Sequence, residues 1–575
     1  MRGAARRKAT RKPNTTLRWR FVLAFWAGCA CVLVVRAVDL QVVEQDFLAH
    51  QGDIRNLRVE PIAAHRGVIR DRAGRPLAVS TPVVTLWANP QEALEHPEQW
   101  ARLGDNPILG RREFAERVAR HENKEFIYLA RGLAPEQAET ILSRNVPGIH
   151  PMTEYRRYYP AGEVTSHVVG FTNIDERGQE GVELAFQERL SGESGRKQVV
   201  RDLLGRVIQD IEVIQPAAPG QDVTLSLDLR LQYLAYKELL AATRRFKAKG
   251  GSVVVLDVRT GEVLAMVNQP AYNPNNRGGI TRGSLRNRAV TDLFEPGSTM
   301  KPFTVAAALE QGLVEPTTMV NTHPGYLRVG NKTIHDHRDY GLIDVTTILT
   351  KSSNVGVSKL ALAMDPLVLP GYLERFGFGQ TTGIRFPGES DGVLPLRAKW
   401  RDIERATLAY GYGVSVSALQ LAQAYAILAN GGERVPLSIV KVDQPPKGEQ
   451  VIGRDTAHAL VQMLETVVSL EGTARRAKIP GYQVAGKTGT VHKVTAHGYA
   501  DDRYTGIFAG LAPASNPRIA AVVVIDDPRG DAYYGGLVAA PVFSAVVGGA
   551  LRTLHIPPDQ ADGLIAGNLD GGGRS

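Results

Sequence analysis

The chain has 575 residues, of which 43% are hydrophobic and 22% charged, a composition typical of folded protein rather than of a disordered chain. This length exceeds one ordinary domain and indicates about three or four structural units. The net charge is +9, and residues 1–20 contribute eight of those charges because they contain Arg and Lys but no acidic residue. The rest of the chain is close to neutral and has no basic patch interleaved with aromatics, so we expect no nucleic-acid partner.

An uncharged apolar run, FVLAFWAGCACVLVV, follows the basic segment and extends from Phe21 to Val35. Residues 21–38 would form a helix of about 27 Å, slightly shorter than a hydrocarbon core of about 30 Å. A membrane anchor, a cleaved signal peptide and a buried core helix all fit such a run. The upstream cations and the flanking Trp19 and Trp26 favour the anchor. We therefore expect a cytoplasmic tail over residues 1–20, a transmembrane anchor over 21–38, and a body outside the cytoplasm.

Cysteine usage agrees with an exported body. Cys29 and Cys31 both lie in the apolar run, and the remainder of the chain has none. A body without thiols suits an oxidising compartment.

Residues 40–220 have the pattern of an irregular α+β region. Within it, HRGVIRDRAGRPLAVS, residues 65–80, has an Arg-Ala-Gly tip between two short apolar stretches, which predicts a hairpin. A second domain begins near Gln221, where alternating apolar residues give way to a helical pattern through Leu231, Leu234 and Leu239. We assign this domain to residues 221–560 and expect residues 561–575 to be a disordered tail.

The second domain has the strand pattern of a single sheet. Strands over Ser252–Leu256 and Glu262–Val267 flank the turn DVRTG. Three more candidate strands lie far downstream, in YQVAGKTGTV, TGIFAGLAP and RIAAVVVID. Two early and three late strands predict one mostly antiparallel sheet with helices packed on its faces, an α+β fold.

The stretch FEPGSTMKPF, residues 294–303, places Ser298 and Lys301 three residues apart, directly after a Pro-Gly turn. Serine is a weak nucleophile that needs an adjacent base, and residues i and i+3 at a helix start share one face. A serine there is also a common helix cap. The same Ser-x-x-Lys spacing recurs at Ser194 and Ser438, so the spacing alone leaves both interpretations open.

Two more motifs follow Ser298 in order. KSSNVG places Ser352, Ser353 and Asn354 at the head of an apolar-periodic helix, and AGKTGT places Lys487 on a predicted strand. A Ser-x-x-Lys, a Ser-x-Asn and a Lys-Thr-Gly motif together are the set found in β-lactamases and penicillin-binding proteins. No Ser-x-Asn motif lies between Ser438 and Lys487, and no helical pattern follows Ser194, so the order of motifs favours a catalytic role for Ser298.

On these motifs the chain resembles the class B penicillin-binding proteins, the monofunctional peptidoglycan D,D-transpeptidases, over nearly its whole length after the tail. RGVIRDRAGRPLA and RRYYPAGEVTSHVVGF carry the resemblance before the catalytic region. FEPGSTMKPF, KSSNVG, YGYGVSVSALQLAQAYAILANGG, AGKTGT and YYGGLVAAPVF are similar to the cell-division branch of that class. Ser-Ser-Asn stands where β-lactamases usually have Ser-Asp-Asn, and it matches the division enzymes.

The resemblance implies a transpeptidase fold over residues 221–560 and an elongated pedestal or dimerisation-like domain over residues 40–220. It also implies a mechanism. Ser298 attacks the carbonyl between the last two D-alanines of a stem peptide, and Lys301 takes its proton. Burial and the charge of Lys487 would lower the pKa of Lys301. Ser352 relays a proton to the leaving amine, and Asn354 holds Lys301 and the substrate amide.

By the same resemblance, backbone N–H groups of Ser298 and Thr490 form the oxyanion hole, and the hydroxyls of Thr488 and Thr490 hold the terminal carboxylate with Lys487 behind them. Tyr533 and Tyr534 resemble an aromatic wall, although ordinary core aromatics are an equal alternative. The predicted substrate-binding residues are Thr488, Gly489, Thr490, Tyr533 and Tyr534.

The implied partners are peptidoglycan stem peptides, β-lactams, the membrane, an FtsW-like glycosyltransferase and other division proteins. No cofactor is implied. His335 and His337 have no third ligand nearby in the sequence, so we expect surface residues rather than a metal site. An elongation-type transpeptidase, a penicillin-binding sensor and a β-lactamase-like protein remain the alternative functions.

Overall fold

The computed structural model describes residues 15–45, 57–201, 207–278, 280–395, 397–495 and 498–560. Residues 1–14 of the predicted basic tail and the predicted disordered tail 561–575 lie outside the described residues. The chain divides into two compact units, each built from separate stretches. The first contains Met1–Ala64, Val83–Glu154 and Glu193–Ala218, and the second contains His65–Pro82, Tyr155–Gly192 and Pro219–Ser575.

The first unit begins with a long apolar helix. It covers Thr15–Val38 and continues as a π-helical turn over Asp39–Val43. Arg18–Val43, a stretch of 26 residues, is long enough and apolar enough to cross a membrane, and an 18-residue window within it has a mean hydropathy of 2.3. Arg36, near the C-terminal end of this stretch, pairs with Asp39 one turn later. The span predicted over residues 21–38 therefore lies within a helix that meets the length requirement.

The rest of the first unit mixes short helices with strands. Three strands pair antiparallel in one sheet, and elsewhere Val84–Ala88 pairs with Ile127–Leu133. Leu86, Phe114 and Ile141 are buried in the unit's core. The helices are Pro90–Glu95, Pro97–Leu103 (3-10), Arg111–Arg120 and Pro135–Leu142, and the strands are Leu57–Ile62, Ile127–Leu133, Gly195–Arg201, Val207–Gln215 and parts of Pro76–Ala88 and Ile149–Tyr158.

A five-stranded antiparallel sheet forms the centre of the second unit, as predicted. Its strands in chain order are β1 (Gly250–Asp257), β2 (Val263–Gln269), β3 (Ala485–Thr495), β4 (Gly498–Ala512) and β5 (Ile519–Asp526). In space the order is β2-β1-β5-β4-β3. Every residue of β1 and of β2 is buried, so both faces of these strands are covered. The downstream strand β5 completes the sheet between β1 and β4, which brings the early and late parts of the sequence together.

Helices pack on this sheet. The helix α1 (Leu229–Arg245) packs against β2 and against the C-terminal helix Ala540–Thr553, and Ala418–Ala429 packs against the central strands. Asp228 caps α1 by accepting a hydrogen bond from the Arg230 N–H. Leu231 and Leu239 of the predicted helical pattern are buried, and so is Ala235, whereas Leu234 is half-buried.

Short elements complete the second unit. The predicted hairpin is present, because Ile69–Arg70 pairs antiparallel with the start of Pro76–Ala88. The remaining strands are Val223–Thr224, Met319–Asn321, Tyr326–Val329, Lys332–His335, Leu342–Asp344, Glu433–Arg434 and Glu449–Gln450. The remaining helices are Gly162–Val164 (3-10), Ser166–Val169, Gly181–Ala185, Gln187–Ser191, Arg282–Leu285, Arg288–Thr291, Gly297–Met300 (3-10), Lys301–Glu310, Val345–Lys351, Asn354–Ala363, Val368–Arg375, Asp402–Leu408, Ala418–Ala429, Arg454–Glu465, Thr466–Val468 (3-10), Arg475–Ala477 (3-10), Gly535–Val538 and Ala540–Thr553.

A buried ion cluster joins two stretches of the second unit, His65–Pro82 and Tyr155–Gly192. The Glu183 carboxylate accepts hydrogen bonds from Arg66 Nε at 2.7 Å and from Arg157 Nε at 2.6 Å. The side chains of all three residues are at most 1% exposed. Arg157 also donates to the Ser80 hydroxyl and to the Gly67 carbonyl. One carboxylate thus balances two guanidinium groups that have no access to water.

We expect Glu183→Gln to lower the free energy of unfolding by about 3–5 kcal/mol, because it leaves two buried guanidinium groups uncompensated. Denaturant unfolding of the variant measures this loss. Glu188→Gln is the matched control, since Glu188 is an exposed acid on the adjacent helix. Equal stabilities of the two variants would contradict the assigned role of the cluster.

Candidate active site

Ser298 lies in a 3-10 turn that leads into a helix. The turn covers Gly297–Met300 and continues directly as α2 (Lys301–Glu310). Ser298 is partly exposed, whereas Lys301 is 0% exposed. The Tyr425 hydroxyl donates to the Thr299 carbonyl at 3.0 Å and fixes the turn from within the core. Ser298 is therefore held at a helix start with an open face, as the motif predicts.

The second motif is held by an unusual backbone conformation. Ser352 ends the helix Val345–Lys351 in the left-handed region, at φ 60° and ψ 42°. Such a conformation costs a non-glycine residue about 1–2 kcal/mol. Ser353 then caps α3 (Asn354–Ala363) by accepting a hydrogen bond from the Gly356 N–H at 2.8 Å. Ser352 thus sits at the sharp corner between two helices.

The Ser352 hydroxyl connects both lysines of the predicted site. Lys301 Nζ and Lys487 Nζ each lie 3.0 Å from Ser352 Oγ. Lys301 Nζ also donates to the Ser352 carbonyl, and Lys487 Nζ donates to the Thr488 carbonyl at 3.3 Å. Both lysines are 0% exposed. Three predicted residues from three distant motifs therefore share one hydrogen-bonded cluster.

The electrostatics of this cluster favour a neutral amine on Lys301. Burial, followed by the positive charge of Lys487, holds the pKa of Lys301 well below its usual range, and the Asp336 carboxylate opposes that shift. Burial lowers the pKa of Lys487 to about 7. A neutral lysine amine next to a serine hydroxyl is able to accept a proton at neutral pH.

The strand β3 lines the cleft with alternate side chains. Thr488 and Thr490 contribute to the cleft, while Lys487 reaches Ser352. Thr490 Oγ1 accepts a hydrogen bond from the Gly535 N–H at 2.9 Å. Gly489 faces the catalytic turn closely, because a Cβ there would lie 3.0 Å from the Pro296 carbonyl oxygen. A side chain at that position would push the strand away from Ser298.

Tyr533 and Tyr534 form part of a row of stacked rings. The ring centroids of Tyr533 and Tyr534 are 4.5 Å apart, and Tyr504 stacks on Tyr533 at 4.1 Å. All three tyrosines line the cleft, so the aromatic wall exists and is wider than the sequence indicated.

The cleft has a volume of about 530 Å³ and contains Ser298, Ser352, Asn354, Thr488 and Thr490. Four of the other lining residues were not predicted as site residues, because only the fold brings them here. They are Tyr410, Tyr412, Thr473 and Tyr504. Thr473 is bonded to the Thr488 hydroxyl at 2.8 Å, so it positions one of the predicted carboxylate-binding groups.

Asp336 is another residue that the sequence did not reveal. Its carboxylate accepts hydrogen bonds from the Ser353 hydroxyl at 2.6 Å and from the N–H groups of Asn354 and Val355 at 2.5 and 3.0 Å. It therefore caps the N-terminus of α3 and fixes the residues that follow Ser352. No motif marks Asp336 in the sequence, where it stands in IHDH between two histidines that are expected to be surface residues.

Asn354 has a different hydrogen-bond partner from Lys301, the one that the resemblance implies. Asn354 Nδ2 donates to the His335 carbonyl at 2.9 Å. Among the described residues no hydrogen bond joins Asn354 to Lys301. His337 lines the cleft. Nowhere in the described parts of the chain do three or more His, Cys, Asp or Glu side chains cluster as metal ligands would.

An antiparallel sheet that presents a Ser-Lys-Ser-Lys cluster beside its edge strand defines a protein of the active-site serine class. Two family models match this chain. The penicillin binding protein transpeptidase domain matches residues 251–548, and the penicillin-binding protein dimerisation domain matches residues 61–225. The chain belongs to the penicillin-binding protein family.

Curated relatives cover almost the whole chain. It is 45% identical over 554 residues to the peptidoglycan D,D-transpeptidase FtsI of Escherichia coli K12, covering 94% of this chain and 93% of that protein. It is 42% identical to the probable peptidoglycan D,D-transpeptidase PbpC of Pseudomonas aeruginosa, covering 94% of this chain and 96% of that one. The match therefore includes the region before the catalytic domain.

Solved structures of penicillin-binding proteins have the same fold as this chain. The transpeptidase domain of penicillin-binding protein 3 from Burkholderia pseudomallei matches with a TM-score of 0.54 and 44% identity, covering 58% of this chain and 97% of that one. Penicillin-binding protein 3 from Mycobacterium tuberculosis, complexed with aztreonam, matches with a TM-score of 0.68 and 28% identity, covering 87% of this chain and 98% of that one. The fold predicted from the sequence is confirmed.

Gly297 provides a test of how tightly the catalytic turn meets β3. Its φ is +54°, and a Cβ there would lie 2.3 Å from Val491 Cγ1. We expect Gly297→Ala to lower the free energy of unfolding by about 3 kcal/mol, from left-handed strain and overpacking together.

Gly312→Ala is the matched control, because Gly312 has a φ of +63° and nothing within 4 Å of its Cβ position. Its free energy of unfolding should fall only by the cost of the left-handed backbone conformation, without any overpacking. Combining Gly297→Ala with Val491→Ala should recover most of the difference in denaturant unfolding. No recovery would show that Val491 is not the obstacle.

Proposed function

We propose that this protein is a peptidoglycan D,D-transpeptidase that cross-links stem peptides in the septal cell wall and is inhibited by β-lactams. The observation that carries the proposal is the Ser352 hydroxyl, which lies 3.0 Å from the amines of both Lys301 and Lys487 in the cleft that contains Ser298. The family membership and the relatives named D,D-transpeptidase support the same reaction.

In the first step, Ser298 Oγ forms a bond to the carbonyl carbon between the last two D-alanines, and Lys301 takes the hydroxyl proton. The C–N bond then breaks, and the proton passes from Lys301 through Ser352 to the departing D-alanine amine. The pKa of Lys301, lowered mainly by burial, supports its role as the base. The product is an ester of Ser298 with the shortened stem peptide.

In the second step, the amine of a neighbouring stem peptide attacks that ester, loses a proton to the same cluster and releases Ser298.

Thr488 and Thr490 bind the terminal carboxylate of the donor, with the charge of Lys487 behind them. The N–H groups of Ser298 and Thr490 form the oxyanion hole. Gly489 allows close approach of the strand, and Tyr533 and Tyr534 provide an aromatic wall.

For the cellular setting, residues 1–20 are a cytoplasmic tail, residues 21–38 cross the inner membrane once, and the catalytic domain over residues 221–560 lies in the periplasm. The basic residues before the apolar helix support this orientation. Residues 40–220 are the pedestal. An FtsW-like glycosyltransferase and other division proteins are the partners, since cross-linking needs a supply of new glycan strands. This setting is proposed ahead of an elongation-type role because the curated relatives include proteins named FtsI.

The first test uses a fluorescent penicillin on the full chain in detergent, followed by denaturation and peptide mass analysis. We expect one long-lived adduct on the Ser298 peptide and none in Ser298→Ala. Ser438→Ala is the matched control, because Ser438 has the same Ser-x-x-Lys spacing but its hydroxyl donates to the Val440 carbonyl at 2.6 Å. Rapid drug turnover without an adduct would indicate a β-lactamase instead.

The second test uses the pH dependence of acylation. The Asp336 charge raises the pKa of Lys301, and Lys301 must be neutral to act as a base. Asp336→Asn removes that charge and lowers this pKa, so the acidic limb of the acylation profile should move to lower pH. The maximal rate should fall about tenfold because hydrogen bonds to a charged group are lost.

Asp339→Asn is the control for this experiment, since Asp339 is an exposed acid of the same loop that pairs with His323. It should leave the acidic limb in place. A shift of equal size in both variants would mean that Asp336 does not act on Lys301 specifically.

A further inference from the structure

His492 lies on the catalytic strand but belongs to none of the three motifs. It follows Thr490 by two residues in β3, so strand alternation places it on the same face as Thr488 and Thr490. It is half-buried and contributes to the lining of the cleft. The imidazole thus continues the row of side chains to which the donor carboxylate is assigned.

Two contacts fix the imidazole in position. Its ring lies 4.6 Å from that of Tyr504, its partner across the β3–β4 ladder. Tyr504 in turn stacks on Tyr533, so His492 ends the aromatic row. His492 Nδ1 lies 2.8 Å from the Ala500 carbonyl oxygen. The ring therefore has little freedom to rotate.

The bond to Ala500 also decides the tautomer. A carbonyl oxygen only accepts hydrogen bonds, so Nδ1 carries the proton and donates it. In the neutral ring Nε2 is then a lone-pair acceptor. Among the described residues Nε2 has no hydrogen-bond partner, and it is not one of the buried side-chain atoms left without one. It is therefore a fixed acceptor that solvent reaches.

We propose that His492 Nε2 accepts a hydrogen bond from an N–H group of the stem peptide and is a specificity-determining residue of the transpeptidase cleft. The lysine amines and threonine hydroxyls of the cleft suit a carboxylate and a carbonyl. A peptide also brings N–H donors, which lose binding free energy if they enter a cleft without an acceptor. Nε2 supplies that acceptor on the substrate-binding face of β3.

This inference rests on the proposed transpeptidase function. The N–H group belongs either to the backbone of the donor peptide or to the amine of the acceptor, and kinetics separate the two. A donor contact changes the KM for the donor, whereas an acceptor contact changes the KM for the amine.

The test compares two variants of the full chain in detergent, each of which reproduces one ring nitrogen of His492. His492→Asn keeps a donor at the position of Nδ1 and so preserves the bond to Ala500, but it lacks Nε2. His492→Gln places an amide oxygen near the position of Nε2 and loses the Nδ1 bond. The substrates are a synthetic peptide ending in D-Ala-D-Ala and a D-amino acid as acceptor amine.

We expect His492→Asn to raise one of the two KM values about fivefold, with kcat changed less, and His492→Gln to stay within about twofold of the parent. Parent-like KM values in both variants would overturn the proposal. Equal losses in both, or a loss in His492→Gln alone, would also overturn it, because they would assign His492 to holding the hairpin. Thermal unfolding of each variant verifies that it is folded.

Penicillin labelling of Ser298 gives the active-site concentration of each preparation. It also keeps the two proposals apart. If the parent chain is not labelled at Ser298, the proposed function fails. If the parent is labelled and forms the cross-linked product while both variants match its KM values, only the role of His492 fails.

Discussion

The burial of two lysine amines around one serine hydroxyl is the constraint on which the catalytic unit depends. Lys301 and Lys487 are 0% exposed and both reach Ser352 Oγ at 3.0 Å. Two ammonium groups cannot be buried side by side at tolerable cost, so the fold itself lowers their proton affinity. The burial that disfavours a charged ammonium group also favours a neutral amine, which is able to accept a proton at neutral pH.

Holding such a cluster requires rigid support from several directions. α2 carries Lys301, β3 carries Lys487, and the corner between two helices carries Ser352 in a left-handed conformation. Asp336 secures the far side of that corner by capping α3 with hydrogen bonds to three successive residues. Strained backbone persists only where surrounding contacts over-determine it, and here those contacts also position the reacting groups.

The sheet explains why residues so far apart in sequence meet. Strand β5 lies between β1 and β4, so the early hairpin and the late strands form one surface. The long insertion between them holds the first two motifs, and β3 at the sheet edge presents the third. An edge strand leaves one side unpaired, and the catalytic turn occupies the space beside it, close enough that Gly489 has no room for a side chain.

The sequence by itself determined the N-terminal apolar helix, the five strands and the order of the three motifs, because apolar periodicity and turn residues are local signals. It also identified Ser298, Lys301, Ser352 and Lys487, whose spacing is a property of the chain. Only the tertiary structure brings Asp336, Thr473, Tyr504 and His492 to the candidate site. Their contacts join residues distant in the chain or on neighbouring strands, and no local pattern distinguishes such an aspartate or histidine from an ordinary surface one.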